Sequence, residues 1–454
     1  MSDLVCCVDF GSTFTKAALV DLSGGGLVAT ASHRTTIDTD VLDGWDACLR
    51  QLIEADTGAN AAPVLACSSA GGGLRIAVVG NEELVTVEAG RRVALSSGGR
   101  VVSVVSGGLT DQVYGDLTAA DPDVVLLVGG TDGGNVEVVV TAARVLADRV
   151  WDRPVVVAGN IVGQPEIAAL LEKSGTPYVL AENVVPQIGV LRPEGARGAI
   201  RDMFVQHVIG GKQLSRRGDF TAMVRAATPD VVLTAVELLS TRVGDVAVVD
   251  VGGATTDVHS VIDVDPEDAS LARQVVASVP VTRTVEGDLG MRWSAVDTLA
   301  AGRQAGLADD HAALGPRAER RRKDPAYLPD DDGERAADLR LAALAIGVAL
   351  RRHAGRQQVT FGPDGRLVER SGKDLREVEL LIGSGGVLRH QRPATAQGVL
   401  RSACGGDVPG GWLLPRAPRM AVDRDYVLAA AGLLAAEHPD AALALMQPLL
   451  EPQT

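Results

Sequence analysis

The chain has 454 residues, 46% hydrophobic and 3% aromatic, with a formal charge of −15 at pH 7. That length suits two or three domains with a large aliphatic core, and the composition excludes a disordered chain. The acidic balance disfavours a nucleic-acid binder, which needs a basic face, and no apolar run of about 18 residues suggests a membrane-spanning helix.

Val5–Val8 lead into Asp9, a Gly11-Ser12-Thr13 turn follows, and a second apolar run spans Ala17–Val20, which predicts strand, turn, strand. Glycine lets backbone N–H groups approach an anion, while the hydroxyls and Lys16 add donors and charge. Asp9 at the mouth of the turn suits a divalent cation or its waters. An ordinary hairpin with a solvated tip is the competing reading. Lysine usage favours the phosphate site: the chain has only five Lys (16, 173, 212, 323 and 373) among many Arg, so a Lys inside this turn is selected for its compact charge. The N-terminus lacks the basic and apolar regions of a secretory signal. Cys6, Cys7, Cys48, Cys67 and Cys404 are odd in number with no C-x-x-C pair, so they read as small buried residues of a cytoplasmic protein.

A third strand is predicted over 28–36, a helix over 42–55 and a strand over 64–67, ending in a flexible 68–73 loop. Strands at 74–79, 101–105, 123–128, 155–158 and 178–181 alternate with helices at 82–95, 136–150 and 166–173, the pattern of a parallel α/β layer. The Gly129–Asn135 segment hands a strand over to a helix. A Gly-rich turn capped by Asn135 is preferred there over a second nucleotide site, and Gly210-Gly211-Lys212-Gln213 lacks the Ser or Thr of a P-loop. Helices are expected over 194–208 and 220–239, the second interrupted near Pro229. Asp245–Val261 repeats the opening in outline: a strand ending in Asp250, a Gly252-Gly253-Ala254-Thr255 turn, then a strand through Asp257. Glu286–Arg292 precedes a helix ending near Gln304. Residues 314–334, with Arg320–Lys323 and Asp330–Asp332, read as a solvated insertion. A helix over 338–353, a strand-to-Gly junction at Gly383-Ser384-Gly385-Gly386 and helices over 424–436 and 441–450 complete the chain. The seven His show no ligand spacing.

Three junctions in this order carry a resemblance. Asp9–Lys16 resembles the first phosphate motif of the actin, sugar-kinase and heat-shock-chaperone superfamily, Asp250–Asp257 the second, and Ile382–Val387 the adenosine motif. Leu65–Arg75, Val128–Asn135, Glu182–Gly189 and Thr284–Met291 look like the MutL-type accessory proteins of adenosylcobalamin-dependent glutamate (methylaspartate) mutase. The resemblance implies an α/β, actin-like (ribonuclease H-like) ATPase with two similar lobes around a nucleotide cleft. One lobe would span 1–200 with an α/β insertion at about 70–180, the other 201–454 with a charged loop at about 310–335. It implies ATP and Mg2+ as cofactors and mutase subunits as client, with the chain acting as a chaperone-like reactivating factor. Gly11, Ser12, Thr13, Gly252, Gly253 and Thr255 would hold phosphates, Lys16 would offset their charge, and Asp9, Asp250 and Asp257 would hold hydrated Mg2+. Asp250 would also orient the attacking water, helped by Glu182 at the crossing between lobes. For Glu182 a carboxylate at a helix N-terminus is the competing reading. Gly383, Ser384, Gly385 and Gly386 would pack on adenosine, with Glu286 and Asp288 as lesser candidates for ribose or metal. A small-molecule kinase of the same superfamily and a nucleotide-binding scaffold stay open.

Overall fold

The computed structural model describes residues 3–70, 74–97, 99–209, 214–263, 280–308, 311–362, 365–406 and 408–453. The predicted 71–73 part of the first Gly loop and the Gly210–Gln213 segment lie outside them. Two compact units divide the chain, one holding 3–23 and 27–232, the other Gly24–Gly26, 233–263 and 280–453.

In the first unit, β1 (Leu4–Phe10), β2 (Phe14–Asp21) and β3 (Gly26–Arg34) form a meander. Every residue of β1 is buried, as a central strand requires. Helix α1 (Val41–Ala55) starts where the Asp40 carboxylate accepts the Leu42 N–H, and it buries Leu42, Trp45, Cys48 and Leu52 along one face. β4 (Val64–Ser68) then pairs parallel to β1. An insertion follows, with β5 (Leu74–Val79), α2 (Glu88–Ser96), β6 (Gly99–Val105), α3 (Asp111–Ala119), β7 (Val124–Leu127), α4 (Glu137–Asp148), β8 (Val155–Val157), α5 (Gln164–Ser174) and β9 (Tyr178–Leu180). Its strands are all parallel, in the order β6-β5-β7-β8-β9. Helix α6 (Glu194–Met203) and a short α7 (Asp219–Met223) lead to β10 (Val224–Ala227), which pairs parallel to β4 and completes the order β10-β4-β1-β2-β3.

β10 corrects the helix expected over 220–239. Its sequence, Val-Arg-Ala-Ala, has one β-branched residue and no alternation, so the sheet's register rather than intrinsic preference makes it a strand. Pro229 does not interrupt a helix. It is the second residue of α8 (Thr228–Val243), where a missing N–H costs nothing. The division between the units falls inside this helix, after Val232.

The second unit repeats the first. β11 (Val246–Val251), β12 (Thr256–Val261) and β13 (Val281–Glu286) form a meander, and β16 (Leu380–Ser384) and β17 (Arg419–Val422) add parallel strands in the order β13-β12-β11-β16-β17. Counting strands along each unit, with the insertion and the separate β14–β15 hairpin set aside, both sheets read 3-2-1-4-5. Between β13 and β16 lie α9 (Ala295–Gln304), α10 (His311–Lys323), α11 (Asp332–His353) and a hairpin of β14 (Arg356–Gly362) and β15 (Gly365–Ser371). Beyond β16 come α12 (Gly386–Arg389) and α13 (Pro393–Arg401), and α14 (Val427–Leu434) and α15 (Pro439–Leu450) follow β17.

One further difference from expectation concerns charge. The 314–334 segment is not a solvated loop: α10 covers much of it, and Arg321 is fully buried. The thiols behave as expected. Cys6, Cys7, Cys48 and Cys67 are buried, and burial pushes Cys6, Cys48 and Cys404 up to about 11, which keeps them protonated and inert. No helix among the described residues is long and apolar enough to cross a membrane.

Gly385 adopts φ +104°, and a Cβ there would lie 2.2 Å from the Val251 carbonyl oxygen, whereas a Cβ on Gly386 meets nothing within 4 Å. Gly385→Ala is therefore expected to lose about 2 kcal/mol or more by denaturant titration, with Gly386→Ala near the parent value. Equal losses would show that the close approach is not a constraint.

Candidate functional site

The first turn joins β1 to β2. The Gly11 N–H donates to the Phe14 carbonyl at 3.1 Å, and a Cβ on Gly11 would lie 2.6 Å from that oxygen. Thr35, just past β3, holds two more carbonyls: its N–H donates to Thr13 O at 3.0 Å and its hydroxyl to Gly11 O at 2.7 Å. Among the described residues no backbone carbonyl accepts the N–H of Ser12 or Thr13, and both residues are exposed. A turn whose carbonyls are tied back and whose N–H groups are left over is an anion receptor.

The second turn, between β11 and β12, is built alike. Gly252 N–H donates to Thr255 O at 2.9 Å, matching the Gly11–Phe14 bond. The segment after β13 takes the part of Thr35. Met291 N–H donates to Gly252 O at 3.0 Å, Arg292 and Trp293 N–H to Gly253 O at 2.7 and 3.1 Å, and Ser294 Oγ to Ala254 O at 2.7 Å. Gly290 permits this approach, since a Cβ there would lie 2.5 Å from the Ala254 carbonyl carbon. The N–H groups of Gly253, Ala254 and Thr255 reach no backbone carbonyl among the described residues.

Each turn has an aspartate at the end of its first strand. Asp9, opposite Lys16 in the ladder, is buried. Its Oδ1 accepts the Thr228 hydroxyl at 2.6 Å and its Oδ2 accepts Lys16 Nζ at 3.4 Å. Asp250 stands opposite Asp257 on one side and Ser384 on the other. Arg283, 4% exposed, lies 3.2 Å from Asp257 Oδ1, and its Nε and Nη1 have no hydrogen-bond partner among the described residues. Separate carboxylates of this kind suit a cation that keeps its own waters, as Mg2+ does. Among the described residues no three His, Cys, Asp or Glu converge into a direct chelate. Asp9 has Lys16 and Asp257 has Arg283 at ion-pair distance.

The third junction contributes less surface than expected. Gly383 is inside β16 against Leu388 and Leu400, Ser384 is buried, and Gly385 packs on Val251, so only Gly386 is exposed. Glu182 follows β9 in the first unit. It is exposed, and a Cβ on Gly195 would lie 3.3 Å from the Glu182 Cβ, which puts Glu182 beside the first turn of α6. Glu286 and Asp288 are gripped by Arg352 at 2.7 Å and 2.6 Å, which makes them an ion cluster rather than open ligands. The Asn135 side chain accepts the Glu137 N–H at 2.8 Å, the capped βα turn that the sequence favoured. Thr35, Thr228, Ser294 and Arg283 were not foreseen. Each acts on a residue far away in the chain, with no local pattern to mark it.

Asp423 was also not foreseen. It follows β17 as Thr228 follows β10, and its carboxylate accepts the N–H of Val427 at 2.8 Å and Leu428 at 3.2 Å. Burial pushes this carboxyl up to about 6, helped by the nearby Asp250 charge and opposed by those two N–H donors. The folded state thus keeps a proton that the unfolded chain loses earlier. The stability this group contributes is complete below the ordinary carboxylate range and is lost as pH rises through about 6. The melting-temperature difference between Asp423→Asn and the parent should move in the variant's favour from about pH 5 to about pH 7.5. A constant difference would contradict the shift.

The duplicated 3-2-1-4-5 sheet, with an Asp–Gly turn after each first strand, defines an actin-like, ribonuclease H-like fold. The family profile described as MutL protein matches residues 5–450. Protein MutL of Clostridium tetanomorphum is 36% identical over 460 residues, covering 99% of each chain. The chain belongs to the MutL protein family. Similar solved structures include nucleotide-free acetone carboxylase, 14% identical, TM-score 0.36, covering 89% of this chain and 70% of that one. Another is the activator of 2-hydroxyisocaproyl-CoA dehydratase from Clostridium difficile with bound ADPNP, 9% identical, TM-score 0.31, covering 98% and 97%.

Proposed function

We propose that this protein binds and hydrolyses MgATP and uses the cycle to remodel an adenosylcobalamin-dependent mutase, exchanging damaged cofactor for intact. The observation that carries the nucleotide reading is the pair of equivalent turns with tied carbonyls and spare N–H groups. Phosphate oxygens would accept from Ser12 and Thr13 at the first turn and from Gly253, Ala254 and Thr255 at the second. The Ser12, Thr13 and Thr255 hydroxyls add donors. Lys16 offsets phosphate charge, and Asp9, fixed by Thr228, presents a carboxylate oriented for a cation's waters. Mg2+, when bound, supplies charge neutralisation at the phosphates. Asp250 accepts a hydrogen bond from the attacking water and orients it.

Family membership supports the mutase client, and the dehydratase activator's ADPNP is that protein's own ligand. Loss of the γ-phosphate would remove contacts at the turns, and that difference in binding free energy is what can drive a client.

Phosphate release from MgATP by the purified chain, with no acceptor added, tests the reading. Release is expected to fall by about 100-fold or more in Asp250→Asn and in Lys16→Ala. Parental rates in both variants would sink it, and phosphate transfer to an added alcohol instead of water would make the protein a kinase. The client is tested by restoring activity to a glutamate mutase carrying inactive cobalamin, which should require ATP hydrolysis.

A further inference from the structure

Behind the second turn lies a buried ion network that the proposed function does not use. The Arg292 backbone N–H holds Gly253 O, and its guanidinium donates to both oxygens of Asp338, from Nη1 at 3.3 Å and Nη2 at 3.2 Å. Asp338 Oδ1 also accepts Arg321 Nε at 2.6 Å. Arg321, with no exposed surface, completes its bonds to Glu334 Oε2 at 2.8 Å, Glu334 O at 2.9 Å and Arg317 O at 2.9 Å. Glu334 and Asp338 share one face of α11, and the Asp331 side chain caps that helix.

We infer that Arg292 is a positioning residue: through Asp338 it fixes the second turn in its anion-accepting form. The inference rests on the phosphate reading of that turn. Three arguments carry it. First, apolar contacts already join α10 and α11, since Leu314, Ala318, Leu341 and Ala345 lie in one core. A buried ion network is no stronger a glue than apolar residues of the same volume, so adhesion does not explain it. What the network adds is direction, because a guanidinium fork and a carboxylate fix one another's planes. Second, the grip on Gly252 and Gly253 comes from consecutive N–H groups of irregular backbone after Gly290. Such backbone can rotate its peptides unless something anchors it. Third, the first turn needs no such anchor, because Thr35 directly extends β3, a strand of the sheet. The second turn's buttress is a loop, and Asp338 on a long buried helix supplies what the strand supplies in the first.

The test compares the full-length parent, Arg292→Lys, Arg292→Met and an exposed control, Arg416→Met. Amide hydrogen exchange is read without nucleotide at Gly252 and at Met291 to Trp293, whose N–H groups are bonded within and onto the turn, and affinity for MgATPγS by calorimetry. Arg292→Met removes the fork but leaves Asp338 bonded to Arg321. It should speed exchange at those amides about tenfold and weaken MgATPγS about tenfold, with Arg292→Lys intermediate and the control at the parent level. Parental exchange and affinity in Arg292→Met, or faster exchange spread evenly over the chain, would overturn the inference. If Arg292→Met does not fold, the same two readings on Arg292→Lys decide it. A parent that fails to bind MgATPγS would sink the nucleotide reading alone, since exchange at Gly252 and Met291 to Trp293 reports on the positioning by itself.

Discussion

A turn receives an anion when its N–H groups are left over and its carbonyls are drawn away by other donors, and both Asp–Gly turns of this protein are organised around that requirement. Buried or half-buried carbonyls need donors. The chain supplies them from behind, through the N–H and hydroxyl of Thr35 at one turn and the N–H groups of Met291 to Trp293 with the Ser294 hydroxyl at the other. Gly11, Gly252 and Gly290 are required because a Cβ at any of them would come within 3 Å of backbone atoms. The electrostatic character of each turn thus depends on packing on its far side.

The duplication makes this arrangement recognisable. Each unit places its turn after the first strand of a 3-2-1-4-5 sheet, with an aspartate just before it and a polar residue just after the fifth strand. The two copies have diverged in charge. Asp9 faces Lys16 across its ladder, while Asp250 faces Asp257, and Arg283 brings the cation from the neighbouring strand. Like charges opposite one another in a ladder repel, so the guanidinium relieves a conflict created by the second aspartate. Thr228 and Asp423 differ as well: one donates a hydroxyl to Asp9, the other caps a helix as a carboxyl held near pH 6.

Much of the fold was legible because its signals are local. Apolar runs ending in Asp and a Gly-Ser-Thr or Gly-Gly-Ala-Thr turn encode hairpins by turn chemistry alone, and alternating Val-rich runs and amphipathic stretches encode the insertion. What escaped was non-local. Residues 314–334 look solvated by composition, yet Arg321 is buried because Glu334 and Asp338, one turn apart on the next helix, satisfy it. The β10 strand is Ala-rich and is a strand only because β4 offers an edge. At the third junction the sequence showed a Gly-rich turn but not its reason: Gly383 and Gly385 give room to neighbouring protein atoms, and only Gly386 faces outward.

The most direct measurement is backbone amide NMR of the full-length protein titrated with MgATPγS. The account predicts that the amides of Ser12 and Thr13 and those of Gly253, Ala254 and Thr255 shift together, with one midpoint, as their N–H groups take phosphate oxygens. Unmoved amides at both turns, or shifts confined to the Gly129–Asn135 turn of the insertion, would contradict it.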